Sequence, residues 1–262
     1  KFETNCIVGK TISEEDLKTD GFKGIFVGSG AGLPNFMNIP GENLIGIMSC
    51  NEYLTRVNLM QAADPESDTP VYKGKKVAVV GGGNTAMDAV RTARRLGAEK
   101  AMIIYRRSEE EMPARVEEIK HAKEEGIDFY TLHNPLRYEG DERGHVQRML
   151  LQRMELGAPD QSGRRRPVAI EGDTVWLEVD EVIVSVGVSP NPLIPQSFEG
   201  MEVTSWGTIV VNGDTMQTAD EMIFAGGDIV RGGATVILAM GDGRKAAKAM
   251  NQYLDDVMIL TI

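Results

Sequence analysis

Gly81, Gly82, Gly83, Asn84, Thr85 and Ala86 have the types and spacing to hold a diphosphate. Gly81 and Gly83 with Ala86 make a G-x-G-x-x-A pattern directly after the apolar run Val77, Ala78, Val79, Val80. The first glycine lets the chain turn tightly, the second lets backbone approach a pyrophosphate, and the small third residue lets a helix pack close on the strand. The N–H groups of Asn84, Thr85 and Ala86 are then expected to face phosphate at the positive end of a helix dipole. A glycine turn can also end a strand for structural reasons alone, so the flanking elements decide. Residues 85–96 keep Ala86, Ala89, Val90 and Ala93 on one helical face, and Gly97 stands where a C-cap belongs. A second apolar run, residues 101–105, follows at the distance of a βαβ unit.

The end of that second run selects between two dinucleotides. NAD asks there for an acidic residue on the ribose 2′-hydroxyl, whereas a 2′-phosphate asks for positive, fork-shaped donors. The sequence reads Tyr105, Arg106, Arg107, Ser108. Arg106 and Arg107 are therefore candidates for a 2′-phosphate clamp, with Ser108 as an added donor and Tyr105 as an adenine neighbour. An arginine pair at a strand end can also be merely solvated; its position relative to Gly81 favours NADP over NAD.

Little else in the chain has the makings of side-chain chemistry. His121, His133 and His145 lack the spacing of metal ligands. Cys6 and Cys50 form neither a disulfide framework nor a C-x-x-C motif, and Cys50 reads as a small buried apolar residue. Asp88 reads as a buttress of the glycine loop or a complement to the helix dipole. No catalytic acid, base or metal site is assigned, because hydride transfer from a nicotinamide needs placement more than proton handling. The 262 residues leave room for two domains, and a net charge of −11 argues against nucleic acid and anionic membrane as general partners. No apolar run is long enough to span a bilayer, no signal peptide opens the chain, and the cysteine usage reads as cytoplasmic. A first residue other than methionine reads as a piece of a longer chain.

Those residues need elements to position them. Residues 1–12 read as a strand-like lead-in and 13–19 as helical. The run 24–27 ends in Gly28, Ser29, Gly30, Ala31, Gly32, which is not a second fingerprint, because Pro34 follows with no amphipathic helix. Either backbone comes close to a ligand there, or the stretch is a surface loop. Residues 49–60 have helical spacing, and 63–72 read as a linker. Residues 116–125 read as a helix ended by Gly126, and Glu109, Glu110 and Glu111 as its acidic approach. Stretches 127–132, 146–155 and 168–179 read as an antiparallel meander, with Arg164, Arg165 and Arg166 in a solvated basic loop that could also meet an acidic partner. Residues 180–187, 207–211 and 222–228 read as strands, the last ending in Gly226, Gly227 and Asp228. Gly232, Gly233, Ala234 and Thr235 open a helix to Leu254, in which Gly241 and Gly243 cost about 1 kcal/mol each relative to alanine and so suggest close packing or ligand approach.

As a set, GGGNTAMD from Gly81, YRRS from Tyr105, EMPAR from Glu111, GRRRPV from Gly163, the VGxxPN exit from Val186 and FAGGD from Phe224 resemble the small (beta) subunit of NADPH-dependent glutamate synthase. The flavin subunits of sulfide dehydrogenase and of NADH-dependent ferredoxin:NADP oxidoreductase are similar. The resemblance implies an α/β fold: a Rossmann-like dinucleotide-binding domain, with a parallel sheet and an antiparallel β-meander, inserted into part of a second, FAD-binding dinucleotide domain. It implies a remnant of the FAD domain plus linker over 1–69, an NADP domain over 70–190 and the C-terminal part of the FAD domain over 191–262. By the same resemblance, Asp228 would hold the flavin ribityl chain. Thr235 and Val236 would face the pyrimidine ring, and Gly28 and Gly30 would pass near the diphosphate or adenosine. Gly187, Gly227 and Ala234 join them as cofactor-binding positions.

The resemblance further implies electron flow from NADPH through FAD to iron–sulfur clusters, and a large or other electron-accepting subunit as partner. The FAD fingerprint and the cluster cysteines would precede Lys1. FAD is thus expected to be weak or absent on this chain, and the clusters to belong to the N-terminal region. The alternatives are a non-catalytic NADP-binding regulatory or assembly module, and the flavin subunit of a sulfide dehydrogenase or transhydrogenase.

Overall fold

The computed structural model describes residues 1–160 and 163–259. The chain forms two compact units, Lys1–Leu33 with Gly187–Ile262, and Pro34–Val186. In chain order the elements are α1 (Glu14–Thr19), β1 (Ile25–Val27), β2 (Leu33–Pro34), β3 (Ile47–Ser49), α2 (Cys50–Leu54), β4 (Lys76–Val80), α3 (Asn84–Arg95), β5 (Lys100–Tyr105) and α4 (Val116–Glu124). Then follow β6 (Asp128–Thr131), β7 (His133–Gly140), β8 (Val146–Pro159), β9 (Arg165–Glu178), β10 (Glu181–Val184), β11 (Val188–Ser189), α5 (Leu193–Ser197), β12 (Ile223–Ala225), α6 (Asp228–Arg231) and α7 (Val236–Ile259).

The unit Pro34–Val186 is built on a parallel sheet in the order β3-β10-β4-β5-β6. Its central strands are buried along both faces, which is why β4, β5 and β10 read as nearly continuous apolar runs. One face, with Val77, Val79, Ile103 and Ile183, packs against α2, α3 and α4. The other, with Ala78, Val80, Met102, Ile104 and Val182, packs against Tyr138, Met149 and Leu151 of the antiparallel sheet β7-β8-β9. The meander thus covers a sheet face that a helix layer would otherwise cover.

Helix α3 buries Ala86, Met87, Ala89, Val90 and Ala93, a small-residue stripe that allows close approach to the sheet. Helix α2 is capped by the Ser49 hydroxyl, which accepts the Glu52 N–H at 3.1 Å, and runs into a π-helical turn over Thr55–Leu59.

Residues 127–132, expected in the meander, form instead the edge strand β6 of the parallel sheet. The meander begins with β7, where Pro135 and a register shift between Pro135 and Arg137 blur the alternation that would reveal a strand. Residues 34–69 include β3 and belong to this same unit.

In the other unit, β1 and β12 pair in parallel, with Val27, Phe198, Ile209, Ile223, Ala225 and Ile229 as the core. The expected strand over 1–12 is only an isolated bridge between Val8 and Ile12. The expected strand over 207–211 is likewise a single bridge, Val203 to Ile209. The apolar pattern there comes from Ile209, which is buried in the core. Helix α7 starts at Val236, later than the glycines at 232 and 233. A Cβ at Gly241 or Gly243 would meet nothing within 4 Å, so close packing does not account for either. Asp242 between them is the buried residue, 1% exposed.

Candidate dinucleotide site

Strand β4 ends at Val80, and the chain turns at Gly81 with φ 147°. A side chain there would run into the carbonyl oxygen of Ser185, just past β10, and the conformation itself disfavours any L residue. The Gly81 N–H donates to the Ile104 carbonyl at 3.0 Å, which ties the turn to β5. A Cβ at Gly82 would lie 2.7 Å from the Tyr105 ring. At Gly83 it would meet nothing within 4 Å, so this side of the turn is open.

Gly83 caps α3 without a side-chain bond, and its carbonyl accepts the N–H groups of Ala86 at 3.0 Å and Met87 at 3.2 Å. The Ala86 N–H, expected to face a phosphate, is therefore engaged within the helix. Those of Asn84 and Thr85 have no protein acceptor among the described residues. Both residues are exposed, and Ala86 is fully buried against the sheet. The result is an open helix N-terminus with free donors, the arrangement that binds a diphosphate.

Two supports of this turn were not foreseen. The Asn84 side-chain oxygen accepts the Arg115 N–H at 2.8 Å, and the Ala114 N–H donates to the Gly82 carbonyl at 3.1 Å. The segment after Pro113 thus leans on the glycine turn, and only the polar Asn84 at the start of the helix hinted at it. From below, the Cys50 thiol donates to the Thr85 carbonyl at 3.3 Å. Burial pushes that thiol up to about 11, and at 1% exposure Cys50 is buried as the packing reading expects. Asp88 lines a polar cavity of about 230 Å³ with Leu54, Asn58, Arg91, Thr92 and Arg95 and makes no hydrogen bond to the turn among the described residues.

At the end of β5 the two arginines have different surroundings. Arg106 is exposed and has no ion pair among the described residues. The Arg107 side chain is 7% exposed, and one of its terminal nitrogens pairs with Asp160 at 2.7 Å. Its Nε is buried without a partner among the described residues. The Ser108 hydroxyl donates to Glu111, whose other oxygen takes Arg165 Nε at 2.7 Å. Ser108 first and Arg165 second hold the Glu111 carboxyl below the usual carboxylate range. Arg165, expected in a solvated loop, opens β9 and pairs with Glu111 and, at 3.4 Å, with Glu110. The Tyr105 hydroxyl donates to the Glu111 carbonyl at 2.9 Å, so its ring lies against Gly82 and its hydroxyl is not free.

The remaining candidates lie before and at the start of α7, in the loop after β1, and at Gly187 between β10 and β11. Gly227 takes φ 77°, and its N–H donates to Asp242 at 3.1 Å. Asp242 also receives Arg231 through two bonds of 2.6 Å. One Asp228 oxygen accepts the Ala234 N–H at 3.1 Å, which leaves the N–H groups of Thr235 and Val236 without an acceptor among the described residues. Gly187 and Gly30 are at φ 100° and 72°, and a Cβ at Gly28 would press on the Phe26 ring at 3.0 Å.

These residues fit the two cofactors unequally. The Gly81 turn offers NADP an open cradle where no Cβ stands, with Arg106, just past the end of β5, a cation without an ion pair among the described residues. For FAD there is an open helix N-terminus at Thr235. The glycines at 28–32, however, lead into β2 rather than a helix, so no pyrophosphate turn follows β1 among the described residues. Among those residues no group of His, Cys, Asp and Glu could hold a metal ion, and no helix is long and apolar enough to cross a membrane.

A family model described as pyridine nucleotide-disulphide oxidoreductase matches residues 2–248. The chain is 38% identical to the putative oxidoreductase AegA of Escherichia coli (strain K12), over 97% of this chain and 39% of that protein. It is 39% identical to the NADP(+)-dependent formate dehydrogenase subunit beta of Moorella thermoacetica, over 95% of this chain and 34% of that one. With the glutamate synthase [NADPH] small chain of Azospirillum brasilense it shares 36%, over 96% and 53%. It thus spans between a third and about half the length of these relatives. In fold it is similar to Mycobacterium tuberculosis FprA in complex with NADPH, with a TM-score of 0.78 at 18% identity, over 98% of this chain and 69% of that one. Fold, glycine turn and family match agree: the chain belongs to the pyridine nucleotide-disulphide oxidoreductase family.

Proposed function

We propose that the chain is the NADPH-binding part of an oxidoreductase subunit of the glutamate synthase small-chain type, working with a larger or other electron-accepting subunit. The observation that carries this reading is the open helix N-terminus after Gly83, together with Arg106 just past the end of the adjoining strand β5, exposed and without an ion pair among the described residues. Gly81, Gly82 and Gly83 would let the dinucleotide backbone approach, and the N–H groups of Asn84 and Thr85 would receive the pyrophosphate. Arg106 would meet the 2′-phosphate, where a planar guanidinium discriminates by charge and by geometry.

Bound NADPH supplies a hydride, and the residues of this chain orient it and screen its phosphate charge. Relatives named for glutamate synthase and for formate dehydrogenase match at similar identity. Glutamate synthase remains the reading because the motif set as a whole resembles its small subunit. On the same proposal FAD is held weakly or not at all by these residues, among which the N-terminus of α7 is open but no pyrophosphate turn follows β1, and iron–sulfur clusters lie outside them.

Arg106→Ala tests the phosphate assignment. The Kd for NADPH should rise by about tenfold or more, while that for NADH changes little, as read by calorimetric titration. An equal loss for both would remove the 2′-phosphate from the site.

A further inference from the structure

The loop between β5 and α4 is fastened at two points by the hairpin of β8 and β9, about fifty residues further along the chain. Asp160 pairs with Arg107, and Arg165 with Glu111. We propose that this fastening sets the preference for a 2′-phosphate: Asp160 and Arg165 hold the loop so that Arg106, and not Arg107, recognises the phosphate, and Arg107 is a positioning residue rather than a ligand. The inference rests on the NADP reading above and assigns a part of it that no glycine fingerprint contains.

Three observations carry it. The Arg107 guanidinium is almost wholly enclosed, with one nitrogen on Asp160 and its Nε buried, so a phosphate dianion has no open face of it to meet. Drawing Arg107 off to a ligand would break its 2.7 Å pair with the Asp160 carboxylate, itself only 22% exposed, and separating such a pair is costly. Second, the Ser108 hydroxyl is already donated to Glu111. A phosphate brought to it would stand beside that carboxylate and be repelled. Third, Arg106 is the exposed member of the pair and has no ion pair among the described residues. The two neighbours, alike in sequence, therefore have different work. Arg107 faces the meander and fixes the loop, and Arg106 faces water and is available to an anion.

The test uses the full chain, with calorimetric titration of NADP+ and NAD+ against Arg106→Ala, Asp160→Asn, Arg107→Asp, and the exchange of Arg107→Asp with Asp160→Arg. If Arg107 positions the loop, Asp160→Asn weakens NADP+ binding by roughly fivefold and leaves NAD+ unchanged. The exchange variant then recovers most of what Arg107→Asp alone loses, coming within about threefold of the unmodified chain. If Arg107 were itself the ligand, an acid at that position would repel the phosphate whatever stood at 160, and Asp160→Asn would leave NADP+ binding equal or tighter. Either result overturns the proposal, and so does an equal fall for NADP+ and NAD+, which would mark a merely structural pair. Should the exchange variant fail to fold, Asp160→Asn decides alone. Arg106→Ala is the separate control: if it leaves NADP+ binding intact, the 2′-phosphate reading itself fails, whatever the exchange shows.

Discussion

Glu181 shows how far a single side chain can stand from the chemistry and still set the behaviour of the unit. It opens β10 at 1% exposure, with one oxygen accepting the Gly74 N–H at 2.7 Å and the other buried without a partner among the described residues. Burial is the main force on it and Asp180 adds to it, while the Gly74 N–H opposes, and the carboxyl is pushed up to about 7. Because the folded state holds this proton more tightly than the unfolded chain does, the group's stabilising contribution is full below about pH 4.5. It is lost as the pH rises towards 7, and the loss is complete above that. The span corresponds to something on the order of 3 kcal/mol, a sizeable part of the stability of a typical domain. Glu181→Gln keeps an acceptor for Gly74 and removes the titration. Urea denaturation should therefore show the variant gaining stability over the parent at pH 8.5 but not at pH 4.5. An equal difference at the two pH values would mean that Glu181 is not the titrating group. The sequence shows an acid at the head of an apolar strand, but not that Gly74 closes over it, because that contact joins residues 107 positions apart.

At the scale of the element, the βαβ unit around Gly81 was legible because its information is local: strand composition, glycine spacing and a small-residue helical stripe all lie within 30 residues. Two neighbouring glycines in it are constrained for opposite reasons, which gives a paired prediction. Gly81 has a positive φ and a carbonyl in the path of any Cβ, so Gly81→Ala should destabilise the fold by about 2 kcal/mol or more. Gly83 has an ordinary φ of −88° and open space, so Gly83→Ala should cost less than about 1 kcal/mol. It should nevertheless weaken NADP+ binding by about tenfold, since the methyl group occupies the approach to the backbone. Thermal melts and NADP+ titration of the two variants check this; a Gly83→Ala chain that binds normally would place the diphosphate elsewhere. What was not legible is non-local. The swap of residues 127–132 from meander to parallel sheet depends on β5 offering an edge. The difference between Arg106 and Arg107 depends on Asp160, which comes into reach only when the hairpin folds. Neither leaves a trace in spacing or composition near the residues concerned.

For the whole molecule, the order of the chain places one compact unit, Pro34–Val186, between the two segments of the other. The inserted unit contains every residue proposed to hold NADP, just past the ends of β4 and β5 in a sheet covered on both faces. The outer unit has a two-stranded parallel sheet and a helix N-terminus at Thr235, with Val236, Ile237 and Met240 at least 63% exposed. The two units should accordingly answer differently to the two cofactors. Hydrogen exchange with saturating NADP+ should slow at the amides of Asn84 and Thr85 and along 106–115, with little change over 227–240. A flavin concentration sufficient for an intact flavoprotein should leave 227–240 exchanging nearly as fast as without it, since an open N-terminus alone supplies few of the contacts a dinucleotide needs. Strong protection of 227–240 by FAD would show that the described residues suffice for the flavin, and would overturn the proposal that FAD is held weakly here. Protection by NADP+ at 227–240 rather than at Asn84 and Thr85 would move the nucleotide site to the other unit.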